Sequence, residues 1–207
     1  MNTRVGRDRE DHNLRQMFRM PKYWLLLIST LCVVGAAYSY QEQQVRLAFE
    51  GESIGSIART DNLFWIFDAI GRYVGGILAY ALVLKVNGYV FLIIYAACSL
   101  IGNIGVFVVI ALDFDGGFWL LIPACNVGLA VGGYWVAVGQ ILIDDAGDKH
   151  YGMVWGMSLL FNFLGMFFFD LLIFLIELGV VAALLFVLLG IVAVLCAVFA
   201  YKDDKKI

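Results

Sequence analysis

Three ionisable residues lie inside long apolar stretches of this 207-residue sequence: Asp68, Arg72 and Asp170. A charge inside a membrane helix costs about 2.5–3.5 kcal/mol even on insertion scales, so each one marks a functional hypothesis. Asp68 and Arg72 are four residues apart and would share one face of a helix, where they can neutralise each other. Mutual neutralisation is the structural interpretation of this pair, and a proton or substrate role for Asp68 is the alternative.

Asp170, in the stretch MFFFDLLIF, has no basic residue within reach on its own helix. Because desolvation disfavours the charged carboxylate, this side chain must face the bundle, face a partner chain or carry a proton. We expect a buried hydrogen bond to a neighbouring helix or a contact with a partner subunit. A proton-coupled site is the alternative.

A second group of charges is concentrated in the stretch DDAGDKHYG, between two apolar runs that are each long enough to cross a bilayer. We interpret it as a membrane-exit turn, where charged side chains reach water. Asp144 or Asp145 would cap this turn or pair with Lys149. The residues that could form a latch at this side of the membrane are Lys85, Asp144, Asp145, Lys149 and His150. A merely solvated turn is the alternative interpretation.

The sequence lacks the patterns on which catalysis depends: it has no nucleophile elbow, no set of metal ligands and no glycine-rich phosphate loop beside a strand. Its cysteines fall in apolar stretches without the CxxC spacing of metal or redox sites. We therefore predict that the chain is not an enzyme, holds no metal or cofactor, and has membrane lipids and membrane proteins, but not nucleic acid, as partners.

Membrane helices must carry these residues. Hydrophobic residues make up 62% of the sequence and charged residues 15%, whereas soluble domains have about 45–50% and about 25%. Backbone groups in hydrocarbon must be satisfied within their own segment, and no stretch alternates as a barrel strand does. We predict an all-α membrane protein with six spans of about 20 residues or more. They lie at roughly 22–40, 62–84, 88–112, 118–143, 151–175 and 179–201.

The distribution of lysine and arginine predicts the orientation. With six spans, eleven of the 14 basic residues lie on one side, and only Arg46 and Arg59 lie on the other. By the positive-inside rule both termini face the cytoplasm, or the matrix in a mitochondrial inner membrane. Residues 1–21 form a basic tail, 22–201 the transmembrane domain and 202–207 a charged C-terminal tail. The tail residues expected to bind anionic headgroups or acidic partner subunits are Arg4, Arg7, Arg9, Arg15 and Arg19.

Two short segments follow a distinctive order. In the first, Gly71, Arg72 and Gly76 precede a short basic turn at Lys85. In the second, Trp135 is followed by Asp144, Gly147, Lys149, His150, Tyr151 and Gly152. Together with the stretch PKYWLLLISTLCVVGAAYS, they resemble the C-terminal six-helix half of a major facilitator superfamily transporter of the nodulin-like branch, over roughly residues 21–200. The resemblance implies two inverted three-helix repeats that form one wall of a substrate path.

Two departures from that family bear on function. Where the family has an aspartate that latches the cytoplasmic side, this sequence has Tyr80, and its only prolines are Pro21 and Pro123. A half-size unit also lacks the second half that would complete a transport path. We therefore predict a transport-incompetent accessory subunit of a larger membrane complex, with a mitochondrial energy-transducing complex as the specific assembly. A half-size transporter working as a homo- or heterodimer is the alternative.

Overall fold

The computed structural model describes residues 12–38, 54–82, 87–112, 118–176 and 179–205, and this part of the chain is almost entirely helical. The all-α class predicted from the sequence is therefore confirmed for these residues. The elements are α1 (Leu14–Met17), α2 (Pro21–Thr30, continued through a π-helical stretch at Leu31–Gly35 to residue 38), α3 (Ile54–Leu82), α4 (Gly88–Ala111), α5 (Phe118–Ile176) and α6 (Gly179–Asp204).

Helix α5 is interrupted at Gly147, which has φ 68° and ψ 169°. This backbone conformation is almost exclusive to glycine. The interruption divides α5 into a first arm, residues 118–146, and a second arm, residues 148–176. A continuous helix of this length would extend about 88 Å, roughly three times the hydrocarbon thickness of a bilayer. The break lies within the turn expected at residues 144–150.

Local sequence determines where α2 and α4 begin. Pro21 occupies the first position of α2, where its missing N–H costs no hydrogen bond. The side chain of Asn87 caps α4 by accepting a hydrogen bond from the Tyr89 backbone N–H at 2.9 Å. At the other end of the chain, α6 continues to Asp204, beyond the expected end of the last span. These boundaries bring polar side chains to the helix ends.

Four helical segments among the described residues are long and apolar enough to cross a membrane: Pro21–Tyr38, Gly88–Ala111, Trp119–Leu172 and Val180–Asp204. The third of these contains the break at Gly147 and includes most of both arms of α5. Helix α3 is of similar length, but it is less apolar because it carries Asp68 and Arg72. These helices fit a multi-pass integral membrane protein.

Glycines hold α3 closely against the first arm of α5. A Cβ atom added to Gly128 would lie 2.5 Å from the backbone oxygen of Phe64, and one added to Gly132 would meet the backbone oxygen of Asp68. Small residues at four-residue spacing permit this close approach of two helices. The backbone around Asp68 is therefore fixed directly against the first arm.

The remaining helices form the body of the bundle. Helix α2 lies between α6 and the second arm of α5, and α4 packs on both the first arm and α6. A Cβ atom on Gly35 of α2 would lie 3.2 Å from the backbone of Gly165 in the second arm. A Cβ atom on Gly190 of α6 would lie 2.9 Å from Leu100 Cδ1 of α4. Helix α3 contacts this body mainly through the first arm.

Candidate functional site

The ion pair between Asp68 and Arg72 occupies the middle part of α3. Arg72 Nε donates a hydrogen bond to Asp68 Oδ2 at 2.9 Å, which is the pairing that their four-residue spacing predicts. The Asp68 side chain is only 6% exposed, whereas the Arg72 side chain is 48% exposed. The carboxylate is therefore held inside the bundle, and the guanidinium extends toward the outer surface of α3.

Tyr38, at the end of the described part of α2, connects this ion pair to two other helices. Its hydroxyl oxygen accepts a hydrogen bond from Arg72 Nη2 at 3.2 Å and a longer one from Trp135 Nε1 at 3.4 Å. Trp135 belongs to the first arm of α5, so α2, α3 and α5 meet at one hydroxyl group. This role of Tyr38 could not be predicted, because nothing in its local sequence distinguishes it from a packing residue.

Aromatic rings surround this meeting point. Tyr38 stacks on Trp65, with ring centroids 5.5 Å apart and an interplanar angle of 25°. Trp135 makes an edge-to-face contact with Trp155 at 5.3 Å, and Trp155 stacks on Tyr151 at 5.8 Å. Each such pair contributes about 0.5–1.5 kcal/mol beyond its buried area. The ion pair therefore lies beside packed aromatic rings that link α3 and α2 to both arms of α5.

One oxygen of Asp68 has no partner in the described part of the chain. Oδ1 is buried and makes no hydrogen bond there. Leaving a buried acceptor unsatisfied costs about 1–3 kcal/mol, and native proteins satisfy most such atoms. A donor from water, a ligand or another chain would be stabilising at this position.

A second polar site joins four helix ends. Lys22, in the first turn of α2, is almost completely buried, and its Nζ lies 2.8 Å from Asp145 Oδ1 and 3.1 Å from Asp204 Oδ1. Asp145 stands near the end of the first arm of α5, and Asp204 ends α6. One lysine thus forms ion pairs with two carboxylates from different helices, and we call this arrangement the helix-end network.

The start of α4 completes this helix-end network. Tyr89 donates its hydroxyl hydrogen to Asp145 Oδ2 at 3.1 Å, and Asn87 Nδ2 donates to Asp204 Oδ2 at 2.8 Å. Each carboxylate therefore receives the buried ammonium group and one neutral donor. Charge-assisted hydrogen bonds of this kind are the stronger ones in proteins. The network fixes the starts of α2 and α4 against the ends of the first arm and α6.

The cation that binds Asp145 differs from the one expected. We predicted that Asp144 or Asp145 would cap this turn or pair with Lys149, a few residues away. Asp145 instead contacts Lys22, and the side chain of Lys149 is exposed. The physical reason is the backbone break at Gly147, which lies between Asp145 and Lys149 and ends the helix that carries Asp145.

Two other latch candidates, Asp144 and His150, lie on either side of the break at Gly147. Asp144 accepts a hydrogen bond from Gln140 Nε2 at 3.3 Å, one helical turn earlier. His150 is partly buried in the first turn of the second arm. Lys85 lies outside the described residues. A latch that includes Lys85 or His150 stays a prediction.

Asp170 and the basic tail lie apart from both polar sites. Asp170 is partly buried on the second arm, and its Oδ1 has no hydrogen-bond partner among the described residues. In the tail, Arg15 lies within α1 and Arg19 just after it, and both are exposed. Three further tail arginines lie outside the described residues: Arg4, Arg7 and Arg9. The roles expected for these residues in binding a partner or lipid stay predictions.

Comparison with known proteins gives no match to a family model, to a curated protein or to a solved structure. The resemblance to a six-helix transporter half therefore rests on the sequence segments described above. In the described part of the chain, no group of three or more His, Cys, Asp and Glu side chains is arranged to hold a metal ion.

Proposed function

We propose that this chain is an integral-membrane accessory subunit of a larger membrane protein complex. Its six spans in this proposal are α2, α3, α4, the two arms of α5, and α6. The helix-end network supports this count, because it gathers the starts of α2 and α4 and the ends of the first arm and α6 at one end of the bundle. That arrangement fits helices that alternate in direction across a membrane.

The observation that carries the proposal is the exposure of Arg72 at mid-helix. At a rise of about 1.5 Å per residue, Arg72 lies about 15 Å from the end of α3 at Leu82, well inside a hydrocarbon layer about 30 Å thick. Its neighbours Ile70, Tyr73 and Ile77 are exposed on the same helix. A guanidinium that faces lipid there is expensive, and such residues normally face protein or water. This part of α3 therefore requires a polar cover beyond the described residues, and in this proposal another subunit provides it.

The contacts of the buried charged side chains fit an accessory role better than a transport role. Asp68 is bound to Arg72, and Arg72 is bound in turn to Tyr38, so the buried carboxylate is already engaged by a cation of its own helix. The helix-end network similarly uses its lysine to connect helices. Both arrangements favour a bundle that keeps one conformation within an assembly. We place the assembly in the mitochondrial inner membrane as our specific hypothesis, with the basic side facing the matrix.

Gentle detergent extraction from native membranes, followed by native gel electrophoresis and mass spectrometry, tests the proposal. We expect the chain to migrate with a defined set of other membrane polypeptides in constant ratio. Migration as a monomer, or as copies of itself alone, would contradict an accessory role. Heating the extract before electrophoresis provides the control, because a specific complex should dissociate as a unit.

A half-size transporter that works as a dimer is the second candidate. Asp68 Oδ1, which has no partner among the described residues, favours it, because a substrate could donate a hydrogen bond to this buried acceptor. In that case the purified chain, reconstituted in vesicles, should carry a solute flux that Asp68→Asn abolishes. The accessory proposal predicts no flux from the purified chain.

A further inference from the structure

The outward surface of α3 consists of residues spaced as in a helix-packing seam. We define the α3 seam as Ala69, Arg72, Tyr73 and Gly76, which are all at least partly exposed. Arg72 and Tyr73 each lie three or four residues from both Ala69 and Gly76. Tyr73 is 73% exposed, and a Cβ atom on Gly76 would have no other atom within 4 Å. A different set of glycines, including Gly71, faces the first arm of α5. Apart from the hydrogen bond of Arg72 to Tyr38 and the ring contacts of Tyr38, the contacts that we find between α3 and its own bundle lie on another side of the helix.

The guanidinium of Arg72 has more N–H donors than the described residues accept. A guanidinium has five N–H donors and cannot lose its proton in a protein. Within the described residues, one donor is used by Asp68 and one by Tyr38. The remaining donors belong to a side chain that is about half exposed at mid-membrane depth, where lipid tails offer no acceptor. Small residues at positions 69 and 76 leave room for another backbone to approach them.

We infer that the α3 seam is the docking site for a transmembrane helix of a different subunit, and that this helix places a neutral hydrogen-bond acceptor opposite Arg72. The inference rests on the proposed function and names the partner surface within it. A carboxylate would give two negative charges against one positive charge inside the membrane, which is costly because Asp68 already neutralises Arg72. A hydroxyl, phenol or side-chain amide satisfies the donors without adding a charge.

Adding bulk to Gly76 tests the surface. Gly76→Leu fills open space outside the bundle, so the chain should fold as before and lose packing only with a partner. Gly156→Leu is the matched control, since a Cβ atom on Gly156 of the second arm also meets nothing within 4 Å. We expect Gly76→Leu to reduce the fraction of chain found in the native complex by about tenfold or more and Gly156→Leu to leave it unchanged. Equal assembly of both variants would overturn the inference.

A photo-crosslinking amino acid at position 73 tests the chemistry of the partner. In native membranes it should capture a transmembrane helix of another polypeptide, and the linked peptide should contain Ser, Thr, Tyr, Asn or Gln near the attachment point. The same amino acid at position 101, an exposed site on α4, is the control and should not capture that peptide. Capture of a second copy of the chain, of lipid alone, or of a peptide whose only polar side chain is Asp or Glu would overturn the inference.

A neutral double variant separates the acceptor contact from the internal ion pair. Asp68→Asn combined with Arg72→Met removes both charges together, so the bundle keeps its electrical neutrality. We expect the double variant to fold and to lose most of its assembly into the complex. Full assembly of the double variant would contradict a role for the Arg72 donors.

If the unmodified chain forms no complex, the proposed function and the inference both fail. If the complex forms and Gly76→Leu has no effect, only the inference fails.

Discussion

Lys22 and Asp204 lie 182 residues apart in the sequence, and the Lys22 ammonium nitrogen is 3.1 Å from an oxygen of the Asp204 carboxylate. Lys22 stands in the first turn of α2 and Asp204 is the last residue of α6. The same ammonium group lies 2.8 Å from Asp145, at the end of the first arm of α5. A single buried lysine therefore links one end of the first long helix of the described chain to one end of the last.

Replacing Lys22 by methionine should strongly destabilise the bundle. The change leaves Asp145 and Asp204 as adjacent, largely buried carboxylates without a cation, and breaking a buried pair in this way costs about 3–5 kcal/mol. Reversible unfolding in mixed detergent micelles measures the loss. Lys149→Met is the control, because Lys149 is exposed, and it should change stability by less than about 0.5 kcal/mol. Equal losses for the two variants would contradict the helix-end network.

The Asp68–Arg72 pair predicts a rescue. Asp68→Asn alone should destabilise the chain by about 2 kcal/mol or more, because the charge of Arg72 is left without its partner in an apolar environment. Asp68→Asn combined with Arg72→Gln should recover much of this loss. The same unfolding measurement gives both values. Strictly additive losses would show that the two side chains act independently.

A hydrogen bond in the core connects the first arm, α2 and α6. The hydroxyl of Tyr134 donates to Ser29 Oγ at 2.6 Å, and Ser29 Oγ donates to the Ala193 backbone oxygen at 3.0 Å. A double-mutant cycle of Tyr134→Phe and Ser29→Ala should give a coupling energy of about 0.6–1.7 kcal/mol, as for other interhelical bonds in membranes. A coupling energy near zero would mean that the two hydroxyl groups do not interact in the folded bundle.

The break in α5 depends on one glycine. Gly147→Ala places a Cβ atom on a residue with φ 68° and ψ 169°, and such conformations cost about 1–3 kcal/mol for a residue other than glycine. Gly152→Ala is the matched control, because Gly152 is in the regular part of the second arm and has open space around it. Unfolding in micelles should show a loss only for Gly147→Ala. If both variants kept full stability, the positive φ angle would not be required.

Hydropathy and local chemistry were sufficient to predict the all-α class and the positions of some helices. The span expected at 88–112 corresponds to α4 at Gly88–Ala111, since the Asn87 cap and the apolar run define it locally. The turn expected at 144–150 contains the break at Gly147. Helix α3 begins at Ile54, before its expected start at residue 62, because a helix can continue into polar sequence once it leaves the hydrocarbon layer. Local composition marks the apolar part of a helix and not its full length.

The helix-end network could not be predicted from the sequence. Lys22 contacts carboxylates that are 123 and 182 residues away, and this proximity depends on how four helices are arranged in space. In the sequence, Lys22 was one of several basic residues near the start of the first span. By contrast, Asp68 and Arg72 are neighbours on one helix, so their spacing alone was enough to predict the contact.

The mass and composition of the native assembly test the account most directly. A tagged copy of the full chain, expressed at its natural level, is extracted gently and examined by native mass spectrometry, and the purified chain is assayed for solute flux in vesicles. We predict one particle that contains this chain and other membrane polypeptides in fixed ratio, together with no flux from the chain alone. A particle composed only of copies of this chain, with measurable flux that Asp68→Asn abolishes, would contradict the accessory role and establish the half-size transporter instead.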